Sequence, residues 1–123
     1  MTLSSEQMAE LSSQLALSKR AEEVTILDLR GLTDIADFFV ICTGNSDTHI
    51  KAITDAILEG MEQREVRPWH VEGYSALNWV LIDYVDIVVH VFQRETREFY
   101  KLERLWGDAK LKVVEEEIGV DES

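Results

Sequence analysis

The sequence predicts an α/β domain built on a mixed β-sheet that is flanked by helices. Apolar stretches of strand length alternate with amphipathic stretches of helix length, in the order helix, strand, strand, helix, two or three strands, helix. The densest apolar stretch, Ile87 to Phe92, is interrupted only by His90, as expected for a strand that is covered on both faces. We therefore expect this strand at the centre of the sheet.

A length of 123 residues and a hydrophobic content of 46% are typical of one soluble domain with a substantial core. We expect a single α/β domain over residues 1–107, followed by an acidic C-terminal tail over 108–123 that either extends the last helix or stays mobile. No stretch approaches the roughly 20 apolar residues of a membrane span. The N-terminus has neither a signal nor a transit pattern, and the single cysteine favours a reducing compartment, so we expect a cytoplasmic protein.

The first half of the chain predicts two helices and two strands. Ser4 with Gln7 forms a capping-box pattern, and an amphipathic helix follows to about Glu22. Strands over 24–29 and 37–43 are joined by too few residues for a helical crossover, which predicts an antiparallel pair.

The segment Gly44-Asn45-Ser46 lies between the second strand and a helix predicted over 47–64. It suits two interpretations. Ser46 caps the helix, or the turn presents backbone N–H groups to an anion at the helix N-terminus. A lone glycine is a weak signal for phosphate binding, so we favour the cap.

The second half begins at Pro68, which cannot donate to a strand ladder and so favours an edge position for the strand after it. The predicted elements are a short strand at 69–72, a hairpin of strands 79–82 and 87–92 bent at 83–86, and a helix at 95–106. Phe99, Leu102 and either Leu105 or Trp106 are expected to face inward from that helix.

The formal net charge is −12, from 24 acidic and 12 basic residues. Phosphate backbones attract lysine and arginine, so a chain this acidic is a poor binder of free nucleic acid. A basic protein surface is a more natural partner, because complementary charge raises the association rate. The alternative is that the charge only keeps the protein soluble, and composition does not separate the two.

Candidate catalytic and metal-binding residues do not form a set. Two-metal enzymes of the nucleotidyltransferase kind hold metals with an Asp-x-Asp spacing on a strand, and this sequence has none. Asp34 with Asp37 and Asp83 with Asp86 are each three residues apart. The three histidines have no ligand spacing to each other or to Cys42, and we expect Cys42 and His90 to be core residues. No cofactor or metal is predicted.

An aromatic and acidic group remains around the predicted hairpin: Trp79, Asp83, Tyr84 and Asp86. Tryptophan and tyrosine often carry binding energy, and acids at the rim of such a group would steer a basic partner. Alternatively, Trp79 belongs to the core and the two aspartates only shape the turn. Physical reasoning alone leaves both interpretations open.

The sequence resembles the Iojap-related ribosomal silencing factors over Val24 to Trp106. The resemblance rests on four segments, which are Asp37-Phe38-Phe39-Val40-Ile41-Cys42-Thr43-Gly44-Asn45-Ser46, Glu72-Gly73, Trp79 with Asp83, Asp86 and Val89-His90-Val91-Phe92, and Tyr100-Leu102-Glu103-Leu105-Trp106. Each is unspecific alone, and the combination is specific.

This resemblance implies a nucleotidyltransferase-like fold without the catalytic carboxylates, and no enzymatic activity. It implies binding to the large ribosomal subunit through its protein number fourteen, which blocks subunit joining sterically and represses translation. Homodimers are also implied, although the sequence neither demands nor forbids them. By position, the contact residues would be Trp79, Asp83, Tyr84 and Asp86, with Tyr74 and Leu81 as neighbours.

Two other functions compete with this one. A nucleotidyltransferase-like enzyme would use Ser46 with Asp83 or Asp86, and nucleotide with magnesium would then stabilise it. An adaptor for another basic protein would present the same acidic and aromatic surface, and only the resemblance separates it from a ribosome-binding factor.

Overall fold

The computed structural model describes residues 2–115, which form a six-stranded mixed β-sheet with helices on both faces. The elements are α1 (Ser5–Ser18), β1 (Glu22–Asp28), β2 (Phe38–Gly44), α2 (Asp47–Glu62), β3 (His70–Glu72), β4 (Trp79–Asp83), β5 (Ile87–Gln93), α3 (Arg94–Tyr100), α4 (Leu102–Leu105) and β6 (Lys110–Val113). Across the sheet the strand order is β3-β4-β5-β2-β1-β6. The predicted fold class is confirmed.

The centre of the sheet is the parallel pair of β2 and β5. Every residue of β2 is buried, and in β5 only Gln93 is partly exposed. β5 also pairs with β4 in the antiparallel direction, as the predicted hairpin requires. The antiparallel pairing of β1 with β2 and the edge position of β3 are confirmed as well.

Helices α1 and α2 cover one face of the sheet, which we call the α1/α2 face. Both begin as the sequence predicts, because Ser4 and Gln7 form the capping box of α1 and Ser46 accepts a hydrogen bond from the backbone N–H of His49. Helix α1 ends at Ser18, before the predicted Glu22, and the chain then turns through Arg20 at φ 62°. Aliphatic side chains from both helices and the strands form the core of this face.

The opposite face, which we call the α3/α4 face, has a smaller core that includes Leu27, Phe39 and Phe92. The side chain of Arg97 is charged but buried, and it links α3 to this face of the sheet. Its guanidinium donates to the Glu103 carboxylate at 2.6 and 2.8 Å, to Thr43 Oγ1 at 2.9 Å and to a backbone carbonyl of β1 at 2.8 Å. These partners compensate the cost of burying the charge.

The single helix predicted over 95–106 is wrong. Lys101 has left-handed backbone angles, φ 50° and ψ 58°, and separates α3 from α4. Phe99 points outward with 79% exposure, against the expectation, and Leu105 is 71% exposed. Leu102 is buried and Trp106 packs against the core of this face, as expected. Arg97 occupies the inward-facing position of α3. A pattern of apolar residues does not identify this position, because arginine is charged.

The predicted tail over 108–123 also needs correction, because Lys110–Val113 forms β6 and pairs with β1. All four of its side chains are exposed, so the strand is stabilised by backbone pairing at the sheet edge and leaves no buried pattern in the sequence. The remainder of the predicted tail, residues 116–123, lies outside the described residues.

Gly73 precedes β4 with φ +81°, and a Cβ at this position would lie 2.1 Å from the carbonyl oxygen of Trp79. We predict that Gly73→Ala lowers the free energy of unfolding by about 2–4 kcal/mol, since the backbone is strained and the new methyl group meets main-chain atoms. Urea unfolding monitored by circular dichroism measures this loss.

Gly31→Ala is the matched control, because Gly31 has φ +84° but a Cβ there meets no atom within 4 Å. Its expected cost is about 1 kcal/mol, from backbone strain alone. Equal losses of unfolding free energy in the two variants would show that contact between a Cβ at residue 73 and the Trp79 carbonyl adds no cost beyond the backbone strain.

Candidate docking surface

Three of the six candidate contact residues lie together on β4. Burial alternates along this strand, so Val80 and Ile82 enter the core of the α1/α2 face. Trp79, Leu81 and Asp83 point to the opposite, α3/α4 face and remain partly exposed. The structure therefore assembles a strip of one aromatic, one aliphatic and one acidic side chain.

Trp79 is held in place by both a hydrogen bond and ring packing. Its indole Nε1–H donates to Nδ1 of His90 at 3.0 Å. Its ring centroid lies 4.8 Å from that of Phe92 and 4.7 Å from that of Tyr100. One side of the indole therefore packs on the core while its outer side contacts a ring that is itself 51% exposed.

Sequence reasoning missed part of this surface, because Phe99 and Tyr100 were not among the candidate contacts. Tyr100 packs on Trp79, and Phe99 lies at 5.0 Å from Tyr100 in an edge-on arrangement. Adjacent residues of a helix are about 100° apart around its axis, so two consecutive aromatic residues were a signal that at least one faces outward. We call Trp79, Leu81, Asp83 and Tyr100 the β4 patch.

The edge strand β3 borders the β4 patch. Register places His70 opposite Asp83 and Glu72 opposite Leu81. His70 and Glu72 are exposed, and Nε2 of His70 lies 2.6 Å from the Glu72 carboxylate. Leu81 is thus flanked by a carboxylate on its β3 side and by buried His90 on its β5 side.

His90 is a core residue, as predicted, with 3% exposure. Burial lowers the pKa of its imidazole to about 3, so the ring is neutral at physiological pH. Because an indole only donates, Nδ1 must accept and the proton resides on Nε2. Within the described part of the chain Nε2 has no hydrogen-bond partner, and the ring stands edge-on to Phe39 with centroids 4.5 Å apart.

Asp83 shapes the hairpin turn as well as belonging to the β4 patch. Its carboxylate accepts a hydrogen bond from the backbone N–H of Val85 at 2.7 Å. This bond supports the left-handed backbone of Val85, at φ 74°. Asp86 is exposed, and its backbone carbonyl accepts from the N–H of Asp37 at 2.8 Å. The two aspartates therefore differ, since Asp83 is partly used by the turn.

Tyr84 and Tyr74 do not join the β4 patch. Tyr84 is 6% exposed within the core of the α1/α2 face, and burial raises the pKa of its phenol. Tyr74 donates from its hydroxyl to the Asp55 carboxylate of α2 at 2.7 Å, which lowers the pKa of that carboxyl. The Tyr84 position corrects the expectation of an exposed tyrosine at the corner, since strand alternation continues through residue 84.

The residues proposed for the enzymatic alternative lie at opposite ends of the sheet. Ser46 follows the C-terminal end of β2, whereas Asp86 precedes the N-terminal end of β5 and Asp83 pairs near that end. β2 and β5 are parallel over 7 residues, so these ends are separated by about 20 Å at roughly 3.3 Å per residue. Ser46 and these aspartates therefore do not form one site.

The turn before α2 is occupied by the protein's own side chains. Ser46 caps the helix, and Nδ1 of His49 accepts from the backbone N–H of Asn45 at 2.9 Å. The Asn45 amide donates to the Glu22 carboxylate at 2.9 Å, and Arg94 pairs with the same carboxylate. These contacts favour the capping interpretation of Gly44-Asn45-Ser46, because a carboxylate already takes the place beside the turn.

Residues 2–115 offer neither a metal site nor a reactive thiol. No group of three or more His, Cys, Asp or Glu side chains in this range is arranged to hold a metal ion. Cys42 is fully buried, and burial raises the pKa of its thiol to about 12. No helix in the same range has both the length and the apolar character to cross a membrane.

The buried state of His90 predicts a pH dependence of stability. The unfolded imidazole takes up a proton near its ordinary pKa of 6.5, whereas the folded ring resists protonation down to about 3. Stability from this group is therefore complete above pH 6.5 and decreases as the pH falls toward 3. We expect it to lower the free energy of unfolding by about 2 kcal/mol between pH 7 and pH 5, measured by urea unfolding.

His90→Phe provides the comparison, because phenylalanine fills the ring position and does not titrate. The wild type should lose unfolding free energy between pH 7 and pH 5 relative to His90→Phe, so the value for the wild type minus that for the variant should be lower at pH 5 than at pH 7. An unchanged difference would contradict the assignment of a depressed pKa to His90.

Comparison with known proteins identifies a family. The family model described as "Ribosomal silencing factor during starvation" matches residues 2–123. A ribosomal silencing factor of Bacillus subtilis is 44% identical over 93 residues, which cover 76% of this chain and 79% of the relative. Another, from Halalkalibacterium halodurans, is 40% identical over 107 residues, covering 87% of this chain and 92% of the relative.

The fold is similar to that of a solved structure from Bacillus halodurans. The two superpose with a TM-score of 0.75 at 37% identity, over 82% of this chain and 94% of the other. The family resemblance noted in the sequence is thus confirmed by the family model and by both relatives. The chain belongs to the ribosomal silencing factor family, a family of translation regulators associated with the ribosome.

Proposed function

We propose that this protein binds the large ribosomal subunit through the subunit's protein number fourteen and prevents the small subunit from joining. The observation that carries the proposal is the β4 patch, where Trp79 and Leu81 remain partly exposed beside carboxylates. Membership of the family indicates the ribosome as the target. The resemblance of the sequence implies the large subunit and its protein number fourteen as the binding site.

The β4 patch has the composition of a protein-binding surface. Aromatic side chains dominate the binding energy of many interfaces, particularly when they are surrounded by contacts that exclude water. Trp79 is already oriented by His90, Phe92 and Tyr100, so little side-chain freedom would be lost on binding. A strand also presents alternate side chains on one face at a fixed spacing.

Charge supports a basic protein as the partner and disfavours contact through ribosomal RNA alone. The protein carries a net charge of −12. The patch contains Asp83, Glu72 lies opposite Leu81 on β3, and Asp86 lies in the turn that follows β4. Phosphate would repel this surface, whereas lysine and arginine of a ribosomal protein would be attracted to it. Repulsion from the surrounding RNA would then favour one docking position over loose adsorption.

The proposed mechanism makes and breaks no covalent bond. A folded domain seated on the joining face of the large subunit occupies volume that the small subunit needs, so steric exclusion is sufficient. The separation of Ser46 from Asp83 and Asp86 weighs against the enzymatic alternative. An adaptor for another basic protein would use the same patch and is distinguished only by its target.

The direct test is sedimentation of the purified protein with large subunits, with small subunits and with both. We expect co-sedimentation with the large subunit, no co-sedimentation with the small one, and loss of the joined particle as protein is added. Binding that requires nucleotide and magnesium would favour the enzyme, and a failure to sediment with large subunits would refute the proposal.

Leu81→Glu is the variant for this test, because Leu81 belongs to the patch and, unlike Trp79, has no side-chain hydrogen bond to the buried His90 that the change would break. We expect binding to large subunits to weaken at least tenfold, roughly 1.4 kcal/mol, from loss of an apolar contact and burial of a charge. Leu111→Glu is the matched control, since Leu111 is 52% exposed on β6 at the opposite edge of the sheet. Equal weakening would argue against the patch.

Charge steering gives a separate prediction for Asp86→Lys. Reversing this exposed charge should slow association with large subunits, and the effect should be largest at low salt, where screening is least. Stopped-flow association at several ionic strengths measures it. Glu59→Lys makes the same charge change on an exposed position of α2 and should have a smaller effect. Identical salt dependence would exclude local steering.

A further inference from the structure

Tyr100 forms the outer side of the β4 patch, where its ring centroid lies 4.7 Å from that of Trp79. It is the last residue of α3 and is half-exposed, and the chain turns directly after it at Lys101. Helix α3 has only 7 residues, and a helix this short is not stable through its own hydrogen bonds. The position of Tyr100 therefore depends on the contacts that hold α3 and α4 to the sheet.

A carboxylate on α4 is joined to a buried guanidinium on α3. Nε and Nη2 of Arg97 both donate to the same carboxylate oxygen of Glu103, at 2.8 and 2.6 Å. Arg97 belongs to α3 and Glu103 to the first turn of α4, so the pair bridges the turn at Lys101. The Glu103 side chain is only 27% exposed, so solvent screens this pair less than an exposed one.

The same guanidinium is also fixed to the sheet. Its Nη1 donates to Thr43 Oγ1 of β2 at 2.9 Å and to the backbone carbonyl of Glu23 in β1 at 2.8 Å. Its Nη2 lies 3.3 Å from Thr25 Oγ1 of β1. Glu103 is therefore connected through Arg97 to two strands. We call Arg97 and Glu103 the α3/α4 clamp.

Apolar contacts hold α4 as well, because Leu102 and Trp106 pack in the core of the α3/α4 face. Hydrophobic burial is not directional, so these contacts keep the segment on the sheet without selecting one orientation of the turn. Hydrogen bonds depend on angle as well as distance, and the clamp makes two of them across the turn. The clamp therefore fixes the direction in which the chain leaves Tyr100.

We propose that Glu103 is a positioning residue for partner binding, because the α3/α4 clamp holds the Tyr100 ring against Trp79 and so sets the shape of the β4 patch. Binding of a large-subunit protein to the patch rests on the proposed function, whereas the dependence of Tyr100 on Glu103 does not. A side chain already in place loses less freedom on binding. Losing that advantage at one side chain weakens binding about threefold to tenfold.

NMR of the free protein tests whether Glu103 positions Tyr100. The indole N–H of Trp79 gives a ¹H–¹⁵N resonance, which is identified by its loss in Trp79→Phe. In Glu103→Ala this resonance should move toward its position in Tyr100→Ala, because the Tyr100 ring leaves the indole in both variants. Glu103→Gln keeps an oxygen that accepts from Arg97 and should resemble the wild type. An unmoved resonance in folded Glu103→Ala would overturn the proposal.

Affinity for large subunits tests whether this positioning affects binding. Glu103→Ala should bind about fivefold more weakly than the wild type, from loss of a fixed Tyr100 ring. Glu103→Gln is the matched control, because it makes the same charge change and keeps the acceptor, so its affinity should stay near that of the wild type. Equal weakening in both variants would overturn the proposal, since the charge of Glu103 would then act on the basic partner directly.

A double-mutant cycle shows whether Glu103 acts through Tyr100. In a Tyr100→Ala background, Glu103→Ala should no longer weaken binding to large subunits, because the ring that it positions is absent. Additive effects of the two changes would overturn the proposal. If Glu103→Ala does not fold, Glu103→Asp replaces it in each experiment, because it keeps the charge and withdraws the carboxylate from Arg97 by one methylene group.

The two kinds of measurement separate this inference from the proposed function. If the wild type does not bind large subunits but the Trp79 resonance responds to Glu103→Ala, the proposed function fails and the positioning of Tyr100 stands. If the wild type binds and Glu103→Ala moves the resonance without weakening binding, the proposed function stands and the inference is overturned. A moved resonance together with weakened binding supports both.

Discussion

The parallel pairing of β2 with β5 is the constraint on which the rest of the structure depends. Both strands are buried on both faces, so helices must cover the sheet from two sides. β4, which extends this covered centre toward the β3 edge, needs only one buried side. Val80 and Ile82 therefore complete the α1/α2 core, and the alternate residues of β4 remain partly exposed. The strand that contributes Val80 and Ile82 to the core also presents the β4 residues of the patch. The spacing of those residues is therefore fixed by the sheet and does not depend on loop conformation.

Most of the fold could be predicted from the sequence, because the helix caps and apolar stretches that indicate its elements depend on neighbouring residues. The cap at Ser46 and the apolar stretch of β5 depend on neighbouring residues, and the structure agrees with both. The failures depend on distant partners. Arg97 faces inward because Thr43 and Glu103 satisfy it, and Lys110–Val113 is a strand because β1 offers an edge. A periodicity argument contains neither piece of information.

The same distinction applies to the candidate contacts. Alternation along the strand places Trp79 and Asp83 on one face and Tyr84 on the other. The prediction did not apply this rule and treated all three residues as one exposed surface. Tyr74 is different, since its hydrogen bond to Asp55 crosses from a loop to α2 and has no local signal. The adjacency of Phe99 and Tyr100 indicated that at least one faces outward, but the contact of Tyr100 with Trp79 joins α3 to β4 and has no local signal.

Trp79 in the β4 patch and Trp69 before β3 are held by different means, and this affects what a substitution at each position reports. Trp79 is fixed by side-chain packing and by His90, so its removal disturbs the core together with any interface. Trp69 is fixed through its backbone, and its ring is largely free of the core. A change at Trp69 is therefore expected to have little effect on folding, whereas a change at Trp79 affects folding together with any interface that the β4 patch forms.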